Sequence, residues 1–173
     1  MRFAIREARL ADAPGIARVH EESWQVSYRG ILPASVLARI DVGQRLASRE
    51  RILRARAGLN LVAYDCSHGE IVGFCDAGRA RGEAQAEAQF DGEVYAIYFA
   101  HHAKRHGLGT EMFERTRDWM EAQGMRTMIV WVLANNPHAR RFYEAAGGRI
   151  DRAKQSRVGG FPVSEQAYVW DRL

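Results

Sequence analysis

The amino-acid sequence predicts a mixed α/β fold in which helices flank one β-sheet. Two observations lead to this prediction. The chain has 173 residues, the size of one ordinary domain, and contains no internal repeat or Pro/Ser-rich linker. Helical patterns and a hairpin come first, and the second half then runs in the order β-α-β-α-β-β. We therefore expect a single domain covering residues 1–173.

The first predicted element is a strand at Phe3–Ala8, where apolar and polar residues alternate. Asp12 is then expected to cap a helix that has Pro14 in its first turn. The residues that follow at helical spacing are Ile16, Val19, His20 and Trp24. We expect this helix to end at Tyr28–Gly30.

Two more helices are predicted before the hairpin. Pro33 begins a short one that extends to Ile40. A third, arginine-rich helix then reaches about residue 57. We interpret its arginines as the solvated side of the helix, and Leu46 and Leu53 as its inner face.

A β-hairpin is predicted at residues 59–80, with its turn around Ser67–Gly69. The two cysteines, Cys66 and Cys75, fall in its two strand-like segments, and we expect them to be buried and reduced. Neither the cysteines nor the six histidines show the spacing of metal ligands, so no metal is expected. The polar residues 81–92 are expected to form a loop.

Strand and helix alternate in the second half of the chain. A strand at Glu93–Ala100 leads through a basic turn into a helix. The residues predicted to be buried in that helix are Leu108, Met112, Thr116 and Trp119. Met125–Leu133 is rich in β-branched and apolar residues, which favours another strand.

The last helix has clear boundaries in the sequence. Asn136 stands at its cap, Pro137 at its first position and Gly147–Gly148 at its exit. Two further strands, at residues 149–156 and 163–173, are predicted to close the chain.

The composition is that of a soluble globular protein, with 47% hydrophobic and 27% charged residues. No apolar stretch approaches the roughly 20 residues needed to cross a bilayer, and the first residues lack a secretory signal core. We therefore expect a cytoplasmic protein without membrane association. The net charge of +4 comes from 25 basic residues spread along the chain and offset by 21 acidic ones. Binding to nucleic acid is consequently the least favoured alternative.

The basic turn at Lys104–Gly109 has the features of an anion-binding site. The first amides of a helix lack intrahelical partners, and the helix dipole places positive potential at that end. Gly107 and Gly109 allow close approach of the backbone, while the side chains of residues 104–106 add donors. A pyrophosphate would fit there. A tight turn without a ligand is the alternative, and a Walker loop is excluded because no Gly-Lys-Ser/Thr follows.

A second motif lies one strand further along the chain. Asn136 and Tyr143 are seven residues apart, almost two helical turns, so they project from the same face of the last helix. Taken alone, a cap residue and a core tyrosine would explain them. Together with the basic turn, they form a more specific arrangement.

These segments carry a resemblance to a known family. The strand EVYAIYF, the turn KRHGLG and the helix NNPHARRFYEAAGG resemble the acetyl-CoA half of the GNAT superfamily of N-acetyltransferases. The opening IREARLADAPGIARVHEESWQVSYRGILP resembles that of many bacterial members. The family usually has Gln or Arg at the first position of the turn, where this chain has Lys104, so the positive charge is kept but the guanidinium fork is lost.

The resemblance implies a GNAT fold. Its central sheet has about six to seven strands, mixed and mostly antiparallel, is flanked by helices, and holds the cofactor in a splayed parallel strand pair. Acetyl-CoA is the implied co-substrate, with its pyrophosphate on the turn and its pantetheine arm along the strand. The implied cofactor-binding residues are Ile97, Tyr98, Phe99, Lys104, Arg105, His106, Gly107, Leu108, Gly109, Thr110 and Asn136.

The implied reaction is attack of an amine on the acetyl thioester through a tetrahedral intermediate. Tyr143 is the candidate acid, since a phenol with a pKa near 10 can protonate a thiolate whose conjugate thiol has a pKa near 8.5. Glu93 is the candidate base. It stands eleven residues before Lys104, as in members that use a strand glutamate, and alternation predicts it on one face with Tyr95, Ile97 and Phe99. A solvated carboxylate at a strand start is the alternative for Glu93.

The acceptor is expected to be a primary amine of a small molecule or peptide, bound near the first helices and the closing strands. Trp24 and Tyr28 are four residues apart and are predicted to line its pocket, with core packing as the alternative for Trp24. Phe161–Pro162 is expected at the rim of the last hairpin. A homodimer is expected because dimers are common among similar proteins. The alternative function is an acyl-CoA-binding GNAT-fold module without turnover.

Overall fold

A seven-stranded β-sheet forms the centre of the computed structural model, which describes residues 2–38, 42–82 and 89–173. The strands are β1 (Phe3–Glu7), β2 (Leu59–Asp65), β3 (Ile71–Arg79), β4 (Gly92–Phe99), β5 (Met128–Leu133), β6 (Arg149–Val158) and β7 (Phe161–Trp170). Their order across the sheet is β1-β2-β3-β4-β5-β7-β6. Neighbours are antiparallel except β4 and β5, which are parallel. The predicted mixed, mostly antiparallel sheet is confirmed.

Five α-helices lie within the described ranges. They are α1 (Ala13–Ser27), α2 (Ala34–Leu37), α3 (Val42–Ala55), α4 (Leu108–Ala122) and α5 (Pro137–Ala145). Every helix and strand predicted from the sequence is therefore present, with small shifts at its boundaries. Ile40 of the second predicted helix and residues 83–88 of the predicted loop lie outside the described residues.

Helices cover both faces of the sheet. Consecutive residues of β2 show this division, because Leu61 and Ala63 pack in the cluster beneath α4, whereas Val62 packs with α1 and α3. The buried residues of α4 are Leu108, Met112, Phe113, Thr116 and Met120. Their spacing of three and four positions forms one apolar stripe, as predicted. Trp119 is only partly buried and packs at the edge of this cluster.

The arginines of α3 do not all lie on its solvated side, contrary to the prediction. Arg49 is 5% exposed and forms a salt bridge with Asp76 of β3, which is equally buried. Asn60 donates a hydrogen bond to the other oxygen of Asp76 at 2.9 Å. Arg45, one turn before Arg49, contacts the ring of His20 through Nη1, 2.9 Å from Nε2. Two arginines of α3 therefore point inward and have polar partners beneath the helix, which the arginine pattern does not predict.

His20 of α1 is enclosed by aromatic rings and by these two arginines. Its ring stacks on Tyr98 with 5.1 Å between centroids and lies 5.3 Å from the ring of Phe74. Burial and the charges of Arg45 and Arg49 lower the pKa of His20 to about 3. The ring is therefore neutral at physiological pH.

The prediction of a buried cysteine pair is wrong for Cys66. Cys75 is buried in β3, where desolvation raises its pKa to about 12 and its thiol lies 3.5 Å from the hydroxyl of Thr116. Cys66 is exposed because it follows the last residue of β2 and belongs to the turn of the hairpin. The two thiols therefore occupy different environments.

Asp12 stands at the predicted cap position of α1, but its carboxylate does not cap the helix. It accepts two hydrogen bonds from Arg6, at 2.7 and 2.9 Å, and one from the amide of Arg9 at 2.7 Å. The carboxylate therefore ties the end of β1 to the start of the helix.

The largely enclosed His20 makes stability depend on pH in a defined direction. The pKa of His20 is about 3 in the folded protein and about 6.5 in an unfolded chain, so the unfolded state takes up the proton first as the pH falls. The stabilisation is present above pH 6.5 and is lost as the pH falls from 6.5 towards 3. Between pH 7 and pH 4.5, wild type should lose about 2 kcal/mol more unfolding free energy than His20→Gln.

Urea unfolding at a series of pH values measures this difference. The exposed His102 provides the matched control, since His102→Gln also removes a histidine but lies at the surface. Carboxylates titrate in the same range in all three proteins and cancel in the comparison. Parallel curves for wild type and His20→Gln would contradict the assignment.

Candidate active site

A gap opens between β4 and β5 in the middle of the sheet. Their parallel pairing covers only three residue pairs, between Gly92–Val94 and Met128–Val130. Beyond them β4 stays beside β3 as far as Phe99, while β5 stays beside β7 as far as Leu133. The two strands therefore diverge towards their carboxyl ends, which confirms the predicted splayed pair.

Main-chain groups of β4 line this gap. The amide of Ala100 donates to the carbonyl of Val72 on β3 at 2.8 Å. Main-chain groups point alternately to the two sides of a strand, so those of Tyr98 face β3 as well. Those of Ile97 and Phe99 face the gap, where β5 no longer pairs with β4.

Ser23 of α1 fixes the end of β4. Its hydroxyl donates to the carbonyl of Phe99 at 3.1 Å, and the residue is only 3% exposed. A buried carbonyl that lost its strand partner is thereby satisfied from the helix above. The contact ties α1 to the wall of the gap.

A β-bulge lies at the point where the strands begin to diverge. The register between β3 and β4 shifts after Asp76, which pairs with Ala96, because the next pair joins Ala77 to Val94. Tyr95 is the extra residue on β4. A bulge of this kind reverses the alternation of side chains beyond it.

The predicted alignment of Glu93, Tyr95, Ile97 and Phe99 on one face is therefore wrong. Ile97 and Phe99 pack in the cluster beneath α4. Glu93 and Tyr95 lie on the other face, where both contact Arg81. Glu93 forms a 3.0 Å ion pair with it, and the Arg81 guanidinium lies over the ring of Tyr95. The bulge has no signature in the apolar pattern of β4, so alternation alone missed it.

Glu93 is a buried carboxylate with one cationic partner among the described residues. It is 7% exposed, and it accepts hydrogen bonds from the main-chain amide of Arg81 at 2.9 Å and from Nη2 at 3.0 Å. The side chain of Arg81 is 61% exposed, so this ion pair can open at small cost. Glu93 pairs with Ile129, which places it at the closed end of the gap.

The basic turn has the backbone shape expected of an anion-binding turn. Arg105 and Gly107 both have positive φ, at 65° and 77°, and α4 begins at the next residue, Leu108. No side chain caps this helix, so the amides of its first turn are left without a protein partner. A Cβ at Gly107 would meet nothing within 4 Å, which indicates open space beside the turn.

The residues of the turn differ in what they can offer a ligand. Lys104, Arg105, His106 and Thr110 are exposed, as Gly107 is. Leu108 is 5% exposed and belongs to the core, so it can contribute its amide alone. Gly109 lies beneath the ring of Phe142. A Cβ built on Gly109 would be 3.3 Å from the nearest atom of that ring.

Helix α5 supplies the two predicted polar residues. Asn136 occupies the cap, and its side-chain oxygen accepts from the amide of Ala139 at 3.2 Å, which leaves its NH2 group as a donor. Tyr143 is 5% exposed, and its ring packs against Phe113 and Trp170.

The hydroxyl of Tyr143 has no hydrogen-bond partner in residues 2–38, 42–82 and 89–173. Desolvation raises the pKa of Tyr143 well above its ordinary value, and the Coulombic effects of Cys75 and Tyr98 act in the same direction. The phenol therefore holds its proton and is free to donate a hydrogen bond.

Aromatic residues cover the opposite face beside the gap. The rings of Trp24 and Tyr28 meet edge to face, with 4.7 Å between centroids. The hydroxyls of Tyr28 and Tyr98 are hydrogen-bonded at 2.8 Å. Trp24 and Tyr28 also pack together in a core cluster, so the pocket and core interpretations of this pair are compatible.

A small cavity of about 100 Å³ opens next to these rings. It is lined by Ile31, Leu133, Asn135, Phe161, Pro162, Val163 and Ser164. The loop after α1, the end of β5 and the turn of the last hairpin therefore meet at one place, with Phe161–Pro162 at the rim as predicted. A larger cavity, about 1030 Å³, lies elsewhere, around Arg6, Arg54 and Trp119, and contains none of the predicted site residues.

Sequence reasoning missed three polar groups of this region. The sequence predicts a role for the main chain of Tyr98 but none for its phenol, and it predicts Arg45 on the solvated side of α3. Glu165 of β7 was not singled out, although its charge acts on the hydroxyl of Tyr28. The inward turn of α3 brings Arg45, and the pairing of β7 with β5 brings Glu165, to the face that carries Trp24 and Tyr28. Neither feature is visible in one sequence.

Two classes of feature are absent from the part of the chain that the structure describes. Within that part there is no group of three or more His, Cys, Asp or Glu side chains that could hold a metal ion. No helix found there is long and apolar enough to cross a membrane.

Comparisons with known proteins agree with this geometry. Residues 19–147 match the model of the acetyltransferase (GNAT) family. The chain is 28% identical over 169 residues to the uncharacterized N-acetyltransferase YuaI of Bacillus subtilis, covering 98% of this chain and 93% of that protein.

Solved structures share the fold at low sequence identity. A phosphinothricin acetyltransferase of Sinorhizobium meliloti in complex with acetyl-CoA superposes with a TM-score of 0.75 at 20% identity, covering 98% of this chain and 88% of that one. The PaiA N-acetyltransferase of Thermoplasma acidophilum in complex with coenzyme A gives 0.71 at 17% identity, covering 96% and 98%.

The family match spans most of the chain, and the splayed strands, the uncapped turn and the helix with Asn136 and Tyr143 occur together within it. The predictions of a GNAT fold, of N-acetyltransferase activity and of acetyl-CoA as co-substrate are confirmed for the family. This chain belongs to the GNAT family of acetyltransferases.

Proposed function

We propose that the protein transfers an acetyl group from acetyl-CoA to a primary amine, across the gap between β4 and β5. The observation that carries the proposal is the gap itself: the main chain of Ile97 and Phe99 faces it on one side, and the pairing of β4 with β5 stops after Val94. An extended chain of amides can bond to such an edge as an added strand would. The pantetheine arm of coenzyme A is a chain of this kind.

The residues present fit the rest of the cofactor. The amides that begin α4 and the open space beside Gly107 suit a pyrophosphate, and the side chains of Lys104 and Arg105 add positive charge. The free NH2 group of Asn136 can donate to the pantetheine arm. Acetyl-CoA supplies an acetyl thioester, whose carbonyl carbon accepts the nucleophile.

The chain has to supply a base, an oxyanion donor and an acid. The ammonium form of the acceptor, with a pKa near 10.4, loses a proton to Glu93, directly or through water. The neutral amine attacks the thioester carbon, and the main-chain amide of Phe99 stabilises the oxygen that becomes negative. The C–S bond then breaks, and the thiolate receives its proton from Tyr143.

The raised pKa of Tyr143 shapes this last step. A phenol that holds its proton strongly first donates a hydrogen bond to the developing thiolate. The proton of the phenol is then transferred completely to the thiolate. The attacking nitrogen gives up its second proton to Tyr143, which restores the phenol. One proton is released in the overall reaction, which converts an ammonium and a thioester into an amide and a thiol.

The fold leaves the acceptor open. One structure of this fold is a phosphinothricin acetyltransferase and another a ribosomal-protein-alanine N-acetyltransferase, so similar frameworks serve different amines. A small-molecule or peptide amine is the proposed class here, with Trp24 and Tyr28 lining its pocket. A single domain over residues 1–173, a cytoplasmic location and a homodimer stay predictions; the one continuous sheet supports the first.

Release of free thiol from acetyl-CoA tests the proposed function. A broad panel of primary amines should include acceptors that raise thiol release at least tenfold above hydrolysis, whereas their N,N,N-trimethyl analogues should not. Mass spectrometry of the product should show one added acetyl group. Tight binding of acetyl-CoA without turnover by any amine would instead favour a binding module.

Removing the hydroxyl of Tyr143 tests its role as the acid. Tyr143→Phe should lower kcat by roughly 100-fold, because thiolate departure loses its donor, and should leave the KM for acetyl-CoA within about twofold. Tyr64→Phe on β2 is the matched control, since it removes a phenol outside the site. Wild-type kcat in Tyr143→Phe would assign this residue to the core alone.

Substitution of Glu93 tests the base. Glu93→Gln should lower kcat more at pH 7 than at pH 10, because the acceptor amine ionises without help at high pH. Arg81→Met separates catalysis from structure: if Glu93 mattered only as the partner of Arg81, both variants would behave alike. A pH–rate profile of Glu93→Gln parallel to that of wild type would remove Glu93 from the mechanism.

A further inference from the structure

Two arginines on the inner face of α3 differ in one respect. Arg49 has a carboxylate partner, Asp76, and is fully buried. Arg45, one turn away, is half-buried and forms no ion pair with any described residue. A guanidinium that is partly removed from water and lacks a counter-ion is unfavourable unless an anion joins it.

One complete edge of the Arg45 guanidinium is unused. Its Nη1 faces the ring nitrogens of His20 at 3.0 and 2.9 Å. Its Nε is buried without a hydrogen-bond partner, and Nη2 makes no hydrogen bond within residues 2–38, 42–82 and 89–173. The Nε–Nη2 edge presents two parallel N–H donors, the arrangement that a carboxylate accepts in bidentate fashion.

Arg45 is placed beside the proposed acceptor pocket. Its guanidinium lies over the ring of Trp24, 4.7 Å from the centroid. Arg45 interacts electrostatically with the hydroxyls of Tyr28 and Tyr98, and Tyr143 interacts with the same two hydroxyls. The indole N–H of Trp24 is a second buried donor; it points towards the hydroxyl of Tyr98 but makes no hydrogen bond of good geometry among the described residues.

No carboxylate of the described residues lies within salt-bridge distance of the Arg45 guanidinium. His20 is neutral, Arg49 is paired, and Glu21 is the carboxylate with a resolved influence on Arg45. Glu165 lies on β7, near Tyr28 and with Lys154 at 3.9 Å. The proposed pocket is therefore positive on its α3 side and has one carboxylate, Glu165, on its strand side.

We propose that Arg45 binds an anionic group of the acceptor, so that the substrate is an amine that also carries a carboxylate. This inference rests on the proposed acetyl transfer. The carboxylate would take the Nε–Nη2 edge of Arg45, with the indole N–H of Trp24 as a further donor. The amine would extend past the Tyr28–Tyr98 pair towards the thioester near Tyr143. Amino acids are the chemical class that fits.

Matched acceptor pairs test the proposal. Glycine, L-alanine, L-phenylalanine and 4-aminobutyrate are each compared with the corresponding primary amide, which removes the negative charge and keeps the amine. At least one acid should exceed its amide in kcat/KM by tenfold or more. Arg45→Met should lower kcat/KM for that acid by roughly 10- to 100-fold and leave the amide within about twofold. Arg45→Lys should recover part of the loss, since it keeps the charge without the fork.

The exposed Arg51 of the same helix provides the control, and Arg51→Met should match wild type for acids and amides. Equal use of acid and amide in every pair, or an equal loss of both in Arg45→Met, would overturn the inference. If the protein acetylates neutral amines and not amino acids, the inferred carboxylate site is contradicted, but the proposed acetyl transfer is still supported.

A binding measurement gives an answer even if no amine in the panel is acetylated. The same acids and amides are titrated into the wild type and the Arg45→Met variant while the thermal midpoint is followed. The acids should raise the midpoint of wild type more than the amides do, and this difference should vanish in Arg45→Met. Equal effects of acid and amide on wild type would count against a carboxylate site, whatever the turnover shows.

Discussion

The divergence of β4 from β5 is the constraint on which the rest of the site depends. A strand in the middle of a sheet normally has main-chain partners on both sides, and buried groups without partners are strongly disfavoured. Here the parallel pairing ends at Val94 and Val130, and the two strands then follow β3 and β7 separately. The bulge at Tyr95 marks the start of the divergence, and Ser23 satisfies one carbonyl that it exposes. The fold thus maintains an open strand edge inside the molecule, where a ligand with amide groups can complete the sheet.

The two faces of the sheet offer different surfaces to the two substrates of the proposed reaction. The uncapped start of α4 and the cap of α5 lie on the face that suits a phosphate-bearing ligand, whereas α1 and the last hairpin surround the aromatic residues of the other face. The gap connects the two faces. Tyr143 belongs to the core of the first face, yet its hydroxyl is within electrostatic reach of Tyr28 and Tyr98 on the second. This position is compatible with the proposed role of Tyr143 as the acid, because its hydroxyl lies between the two faces.

What the sequence predicted well depends on local signals. Asn136, Pro137 and Gly147 bound α5 because capping and backbone conformation are properties of single positions, and the basic turn is visible for the same reason. The errors concern non-local choices. The bulge on β4 is set by its pairing with β3, and the inward turn of Arg45 and Arg49 is set by Asp76 and His20, which lie far away along the chain. A series of arginines gives the same sequence pattern whether the side chains are solvated or contact buried partners. The composition of α3 therefore does not predict that Arg45 and Arg49 point inward.

The two inward-facing arginines of α3 differ in their partners, because Arg49 has a carboxylate and Arg45 has none among the described residues. A salt bridge as buried as Arg49–Asp76 contributes little net stability, because desolvation offsets most of the attraction, but it leaves no charge unpaired. Arg45 lacks even that compensation and also lowers the pKa of His20. An apolar side chain at position 45 could pack against Trp24 equally well, without an unpartnered donor in a protein whose total stability is only about 5–15 kcal/mol. The contacts of Arg45 with Trp24 and His20 offset part of its desolvation, and the proposed binding of an anion would supply the counter-ion that it lacks among the described residues.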